Sequence, residues 1–275
     1  MMFLSISIDF LKDAEIYSPG IITLLIFAGF LVGFINTIAG SGTVITYSLF
    51  MMLGLPINFA NGTIRLGVIM QTLVSTLNFK KHNALDWKKG FRLALPVVIG
   101  SVAGAQIAVE INEAIFEKIM AGVLFIMLIF IFYRPEHWLK NQMHKIQRKP
   151  TIYQLLLFFV IGVYGGFIHI GVGIFLLSVL VLNAGYDLVK ANAIKVMIVF
   201  LYSPFALAIF MMNDQVHYGM GLISAIGNIF GGYVGSRIAI HQGNNFVRWV
   251  LMIVIILFSA YLLNIHELIT NLVKA

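Results

Sequence analysis

Apolar segments long enough to cross a membrane recur along the whole chain, and they constrain its fold more than any other feature. About 20 apolar residues span the hydrocarbon of a bilayer as a helix. The chain is 60% hydrophobic and only 11% charged, which excludes an ordinary soluble domain. We therefore predict an all-α polytopic membrane protein. The apolar segments fall at about 21–39, 41–55, 58–79, 90–110 and 115–133, and then at 151–170, 172–184, 188–212, 217–240 and 246–263.

The longest polar stretch, residues 134–150, divides these segments into five and five. Lysine and arginine are abundant in this linker and at 80–89, so the positive-inside rule places both in the cytoplasm, with both termini outside. The second segment of each set is short for a span, which indicates a tilted, broken or half-length helix. The predicted organisation is an N-terminal segment at 1–20, a first repeat at 21–133, the linker at 134–150, a second repeat at 151–264 and a C-terminal tail at 265–275.

The second half of the chain repeats the glycines of the first half. Gly29 and Gly33 match Gly162 and Gly166 in the same register. An odd number of spans per repeat gives the two halves opposite orientations, and this inverted-topology arrangement of about five helical segments each is typical of secondary transporters. Those proteins bind substrate between halves that contain discontinuous helices. After a short deletion, a second constant register relates Gly40/Gly171, Gly42/Gly173, Gly54/Gly185, Ala60/Ala191, Asn61/Asn192, Gly90/Gly221, Gly100/Gly231 and Gly104/Gly235.

A glycine-containing break separates the first two segments of each repeat. Gly40-Ser41-Gly42 forms the break in the first half, and Gly171-Val172-Gly173 forms it in the second. The helix that starts after each break would offer N–H groups to an anion. The alternative is close helix packing through small residues, which fits Gly100/Gly104 and Gly231/Gly235 better because glycines four residues apart share one helix face.

Two cations lie well inside apolar segments. Arg65 and Lys195 each follow an asparagine, Asn61 and Asn192, and each is expensive to insert into a bilayer. The predicted spans contain no aspartate or glutamate except near their ends, where Glu110 and Glu117 adjoin a connection, so a bound anion is a candidate counter-charge. The alternatives are snorkelling to an interface and pairing with backbone carbonyls at a broken helix.

The candidate substrate-binding residues are polar or glycine positions at the breaks and in the third segments. Asn36 and His169 occupy matching places just before the breaks, and His169 is a candidate proton carrier or, alternatively, a packing residue. The full set is Arg65, Lys195, Asn36, Ser41, Thr43, Asn61, His169, Asn192, Gly40, Gly42, Gly171 and Gly173.

The sequence gives no evidence of enzyme activity. The chain has no cysteine, no nucleophile elbow, no Walker loop and no histidines at metal-binding spacing. We therefore predict no catalytic residue, no metal and no cofactor. The net charge of +7 lies in short connections beside apolar spans, which indicates topology determinants rather than nucleic-acid binding.

The run "GFLVGFINTIAGSGTVITYSLFMMLGLPINFANGT" and its weaker echo "GVYGGFIHIGVGIFLLSVLVLNAGYDLVKANAI" carry a family resemblance. Together they resemble the TauE/SafE family of sulfite exporters, and the likeness extends roughly from Gly29 to Phe258. The resemblance implies a secondary carrier of small anions, often sulfite or other sulfur-containing anions, in the cell membranes of bacteria and archaea.

The prediction is therefore a multi-pass protein of the cell membrane that moves a small anion, a sulfur-containing oxyanion or organosulfonate, by alternating access. Its expected partners are the anion, the lipid bilayer and a coupling proton or sodium ion, with a homo-oligomer left open. A passive anion channel is the nearest alternative function. A structural or assembly protein without transport activity is the other.

Overall fold

The computed structural model describes residues 16–112, 114–116, 118–119, 122 and 151–262, without the side chains of 248, 251–252 and 254–262. The predicted linker at 134–150, most of the fifth apolar segment and the C-terminal tail lie outside the described residues, as do residues 1–15. Every regular element in the described ranges is helical. The helices are α1 (Pro19–Ile38), α2 (Thr43–Met52), α3 (Ile57–Lys81), α4 (Trp87–Glu110), α5 (Ile152–Phe167), α6 (Val172–Ser178), α7 (Leu188–Met212) and α8 (Tyr218–Leu262).

The chain is an all-α membrane protein, as predicted. Helices α1, α4 and α7 are long and apolar enough to cross a membrane by themselves. The second element of each half is short: α2 has 10 residues, and α6 has 7 residues followed by the π-helical turn Val179–Asn183. Helix α8 is interrupted by the non-helical Gly243, which lies between the predicted segments 217–240 and 246–263.

The helix bounds follow the register found in the sequence. Helices α3 and α7 begin and end at positions that match in the second register of the repeat, and α4 and α8 begin at matching positions. Left-handed backbone also recurs at matching positions, as at Gly54 and Gly185 or Asn83 and Asp214. The two halves therefore share one succession of local structures, whereas their opposite orientation in a membrane stays a prediction.

Glycines bring helices from the two halves into backbone contact. Helix α1 packs along α8, and α4 packs along α5. A Cβ atom added at Gly104 would lie 1.9 Å from the Val163 carbonyl oxygen, and one at Gly231 would lie 2.1 Å from that of Phe30. Larger residues would separate these helices, which confirms the small-residue packing predicted for Gly100/Gly104 and Gly231/Gly235.

Helices α3 and α7 contact each other, and α3 carries more buried polar side chains than any other described helix. Helix α3 also packs against α8, and α7 against α4. Each of these two helices therefore packs against two helices of the other half of the chain. This arrangement carries Arg65 on α3 and Lys195 on α7 into the interior, where 0% and 1% of their surfaces are exposed.

Candidate functional site

The two helix breaks meet in the protein interior. The chain leaves α1 at Ile38 and enters α2 at Thr43, and it leaves α5 at Phe167 and enters α6 at Val172. Gly40 has a φ of +86°, a conformation that side chains disfavour. A Cβ atom added there would also lie 2.4 Å from the Cα atom of Gly173. The breaks can therefore touch only because both positions lack a side chain.

A cavity of about 20 Å³ lies beside this contact, with space for roughly one water molecule. Both halves of the chain line it. The polar side chains in its wall are Asn36, Gln71, Thr72, His169 and Lys195.

Lys195 crosses from the second half of the chain to the first. Its Nζ donates to the carbonyl oxygens of Asn36 at 2.9 Å and Thr37 at 3.0 Å. Both carbonyls belong to the last turn of α1, where the helix leaves carbonyl groups without intrahelical partners and its dipole is negative. The ammonium group is therefore held at the C-terminus of α1 and faces the cavity.

Arg65 makes the reciprocal crossing, from the first half to the second. Its Nη2 donates to the carbonyl oxygen of Gly166 at 2.6 Å and to Oδ1 of Asn61 at 3.2 Å. Its Nη1 and Nη2 both donate to the carbonyl oxygen of Gly165 at 3.3 Å. The guanidinium carbon also lies 4.8 Å from the ring centroid of Phe210. Arg65 is thus fixed at the C-terminal turn of α5 by several contacts.

Both cations therefore show the pairing with backbone carbonyls that the sequence left open as an alternative to anion binding. Neither contacts a carboxylate in the part of the chain that the structure describes. The ion pairs found there, Lys89–Asp86 and Lys190–Asp187, lie at the starts of α4 and α7. Within the described ranges, Arg65 and Lys195 therefore contact neutral groups alone.

The two symmetry-related asparagines differ in their contacts. Asn61 donates to the Phe167 carbonyl oxygen at 2.6 Å. Asn192 is fully buried, yet neither its Oδ1 nor its Nδ2 has a hydrogen-bond partner among the described residues. Ser41 Oγ and Thr43 Oγ1 are also buried, with no partner in the described part of the chain. Unpaired buried polar groups are costly, so these three side chains are available for a ligand or for water.

The residues before the breaks also have partners. Asn36 Oδ1 accepts a hydrogen bond from the Gly42 N–H at 2.7 Å, so the chain itself uses one of the N–H groups expected to face an anion. His169 has a left-handed backbone, and its Nδ1 lies 2.8 Å from the Tyr202 hydroxyl. Gly171 caps α6 with a φ of 68°.

A buried polar network beside the breaks was not predicted. Thr37 Oγ1 lies 3.0 Å from Ser75 Oγ and accepts a hydrogen bond from Gln71 Nε2 at 3.0 Å. The Ser75 hydroxyl in turn donates to the Gly232 carbonyl oxygen at 3.0 Å. The sequence contains the relevant signal, because Gln71 and Ser75 lie four residues apart on one face of α3.

These features define an all-α membrane protein of the transporter class, with broken helices and buried polar groups where its halves meet. The chain belongs to the sulfite exporter TauE/SafE family, whose sequence pattern matches residues 25–262. This is a family of membrane transporters and not of enzymes.

Curated relatives are similar over nearly their whole length. The chain is 25% identical to a probable membrane transporter protein of Haemophilus influenzae, over 87% of this chain and 93% of the relative. It is 28% identical to one of a Sinorhizobium species, over 88% and 92%. An archaeal relative, from Methanocaldococcus jannaschii, is 25% identical over 79% and 86%. No solved structure gives a significant match.

Proposed function

We propose that this protein is a secondary transporter that exports a small sulfur-containing oxyanion or organosulfonate by alternating access. The protein would cross the cell membrane several times, with its two repeats in opposite orientations. The family and its relatives support membrane transport. The anion, the mechanism and the membrane are our inferences.

One observation carries the proposal: the buried side-chain nitrogen of Lys195, whose described hydrogen-bond partners are neutral carbonyls, faces a polar cavity where the two helix breaks meet. A cation in the interior of a membrane protein costs about 2.5 to 3.5 kcal/mol on insertion scales. An anion in the cavity would supply the missing charge. Sulfur oxyanions accept hydrogen bonds. Ser41, Thr43 and Asn192 have free donors but do not line the cavity as it stands, so they would reach the anion only after the breaks separate.

The cavity is so small that the helix breaks must move before an anion can bind. Space for one water is too small for an oxyanion with four or more heavy atoms. The breaks around Gly40 and Gly173 must therefore separate for an anion to enter, and the structure corresponds to a closed state in our proposal. The contacts of Lys195 with α1 and of Arg65 with α5 each join one half to the other, so each contact is a candidate gate for one side of the membrane.

We assign roles within this mechanism to the predicted site residues. Lys195 would bind the anion directly, and Ser41, Thr43 and Asn192 would donate to it. Arg65, Asn61 and Asn36 would hold the ends of the broken helices, and Gly40, Gly42, Gly171 and Gly173 would let the breaks approach. His169 would carry a coupling proton, with sodium as the other candidate coupling ion.

The test is uptake of radiolabelled sulfite into proteoliposomes that contain the purified protein. We expect saturable uptake driven by an ion gradient, and Lys195→Gln should abolish it without reducing the yield of folded protein. Lys88→Gln, which removes an exposed cation on α4, is the matched control and should transport normally. Unsaturable flux without coupling would instead show a channel. Normal transport by Lys195→Gln would overturn the proposed site.

The carbonyl contacts also favour a second function, that of a structural or assembly protein. In that case Lys195→Gln would reduce the yield of folded protein, and the wild-type protein would transport no member of a panel of sulfur oxyanions, sulfonates and carboxylates. The same panel, read as thermal stabilisation, identifies the anion, because a ligand at 100 times its dissociation constant adds about 2.7 kcal/mol.

A further inference from the structure

A second cavity, of about 350 Å³, lies between the C-terminal end of α3 and the middle of α8. We call it the α3–α8 cavity. Lys81, His82 and Arg237 line one part of it, and Val74, Leu77 and Tyr233 line another. This cavity shares no lining residue with the cavity beside the helix breaks.

The basic part of the α3–α8 cavity is open, and no described residue lines it with a carboxylate. Lys81, His82 and Arg237 are all exposed, and Arg237 Nη1 donates to the Tyr233 hydroxyl at 3.4 Å. His82 bonds through Nδ1 to the Asn78 carbonyl oxygen at 2.9 Å. The cationic ends of Lys81 and Arg237 therefore offer donors to an anionic group from outside the protein.

The apolar part of the cavity is open as well. Leu77 is 54% exposed and Tyr233 is 44% exposed. Phe230, one turn before Tyr233 on α8, is 60% exposed. An apolar surface of this kind, on a helix that packs in a membrane protein, is suited to a lipid acyl chain. The combination of cations above an apolar surface fits a molecule with an anionic head and an apolar tail.

The position of the cavity agrees with this ligand. Lys81 is the last residue of α3 and belongs to the basic stretch at 80–89, which the positive-inside rule assigns to the cytoplasm. Anionic lipids are concentrated in the cytoplasmic leaflet, and basic pockets between helices on that side bind their head groups.

We propose that the α3–α8 cavity binds an anionic phospholipid, with its phosphate between Lys81 and Arg237 and an acyl chain along Leu77 and Tyr233. The bound lipid would join α3 to α8, which belong to different halves of the chain.

The internal repeat provides a natural comparison. In the second register of the repeat, Lys81 and His82 match Met212 and Asn213. Tyr233 and Arg237 match Val102 and Gln106 in the same register. The corresponding place between α7 and α4 thus lacks every cation of the α3–α8 cavity. Packing of the repeat does not require these charges, and they occur on one side only.

The experiment measures lipid binding by native mass spectrometry of the purified protein in neutral detergent. Phosphatidylglycerol is the probe, and phosphatidylcholine and inorganic phosphate are the comparisons. We expect phosphatidylglycerol to bind tightly, phosphatidylcholine weakly and phosphate not measurably. The double variant Lys81→Met with Arg237→Gln, which copies the opposite side, should bind phosphatidylglycerol about 30-fold more weakly, the effect of two cations near a membrane surface.

Two control variants separate a specific site from general positive charge. Lys88→Met removes a nearby exposed cation outside the cavity and should leave affinity unchanged. The conservative double variant Lys81→Arg with Arg237→Lys should retain binding. Equal affinity in wild type and the Met/Gln variant would overturn the proposal, as would an equal loss in Lys88→Met. Binding of phosphate as tight as that of the lipid would show an ion site and also overturn it.

A second measurement covers the case in which the Met/Gln variant fails to fold. Because the chain has no cysteine, Leu77→Cys can carry a fluorophore at a unique place in the otherwise native protein. Phosphatidylglycerol with brominated acyl chains should quench this fluorophore at least about tenfold more effectively than brominated phosphatidylcholine. Equal quenching by the two lipids would show that no anionic lipid is selected there.

Discussion

The Arg65 and Lys195 crossings have the same design but different contacts. Each joins the third helix of one half to the end of the first helix of the other half. Arg65 is surrounded by two carbonyls, an asparagine and an aromatic ring, and the neighbouring Asn61 is satisfied. Lys195 has two carbonyls and a cavity, and the neighbouring Asn192 has no partner.

This difference indicates that the Arg65 and Lys195 contacts, although they occupy similar places in the two repeats, have different roles. The Arg65 crossing has the fixed planar contacts that hold a structure together. The Lys195 crossing lies beside a cavity and next to Asn192, both of whose polar atoms lack a described partner, whereas at the Arg65 crossing the Arg65 Nε lacks one. In our proposal the first crossing mainly holds the helices and the second binds the anion.

The strongest test of this comparison concerns its premise, that the halves are inverted. His82 and Asn213 are exposed and occupy matching places just after α3 and α7. Single cysteines at these positions should react with impermeant thiol reagents from opposite sides of the membrane, His82→Cys from the cytoplasm. The control is the parent chain, which has no cysteine and should not label. Reaction of both from the same side would disprove the inversion.

The contact between the breaks should depend more on Gly40 than on Gly173. Alanine at Gly40 would combine left-handed strain with a backbone clash and should cost about 4 kcal/mol in the free energy of unfolding. Gly173→Ala meets only the clash and should cost about 2 kcal/mol. Denaturant unfolding in detergent measures both. Gly54→Ala is the control, because it has left-handed backbone but nothing near its Cβ position. Equal losses in the two break variants would contradict the comparison.

The two cations should contribute differently to stability. Arg65→Met leaves the carbonyls of Gly165 and Gly166 and one group of Asn61 without donors, so we expect a loss of about 3 kcal/mol. Lys195→Met should lose only about 1 kcal/mol, because removal of a buried charge offsets two lost hydrogen bonds. Denaturant unfolding of each variant without ligand measures these losses of stability. A larger loss in Lys195→Met would mean that Lys195, and not Arg65, mainly holds the helices.

Substitution of Asn61 and of Asn192 should change the free energy of unfolding in opposite directions. Asn61→Leu should destabilise the protein by about 2 kcal/mol, since the Phe167 carbonyl and Arg65 each lose a partner. Asn192→Leu should stabilise it by about 1 kcal/mol, because a buried amide without partners is removed, yet it should abolish sulfite transport. Stability and transport are measured on the same preparations. Normal transport by Asn192→Leu would exclude this residue from the anion site.

The smallest effect on stability is expected at His169. His169→Gln should change the free energy of unfolding by less than about 1 kcal/mol, because glutamine can also bond the Tyr202 hydroxyl. If His169 carries the proton, transport by the variant should no longer respond to a pH gradient, whereas sulfite binding persists. His241→Gln, at an exposed histidine of α8, is the control. Unchanged coupling in His169→Gln would return this residue to a packing role.

Much of the fold could be predicted from the sequence, because the signals are local. Apolar segments and glycine spacing depend on neighbouring residues, so they located the helices, the short second elements and the close packing of Gly104 and Gly231. The burial of Arg65 and Lys195 also followed from their places within apolar runs.

The partners of these cations depend on how the halves dock, and only the tertiary structure decided them. Arg65 and Lys195 each bond to carbonyls that lie far away in the sequence, in the opposite half of the chain. Backbone carbonyls are identical at every position, so no residue type marks the ones that receive a cation. The sequence by itself established two buried charges in a duplicated membrane protein. The docking of α1 and α5 against α7 and α3 determined that each charge is held at the end of a helix from the other half, because only there do unpaired carbonyls and a negative dipole meet it.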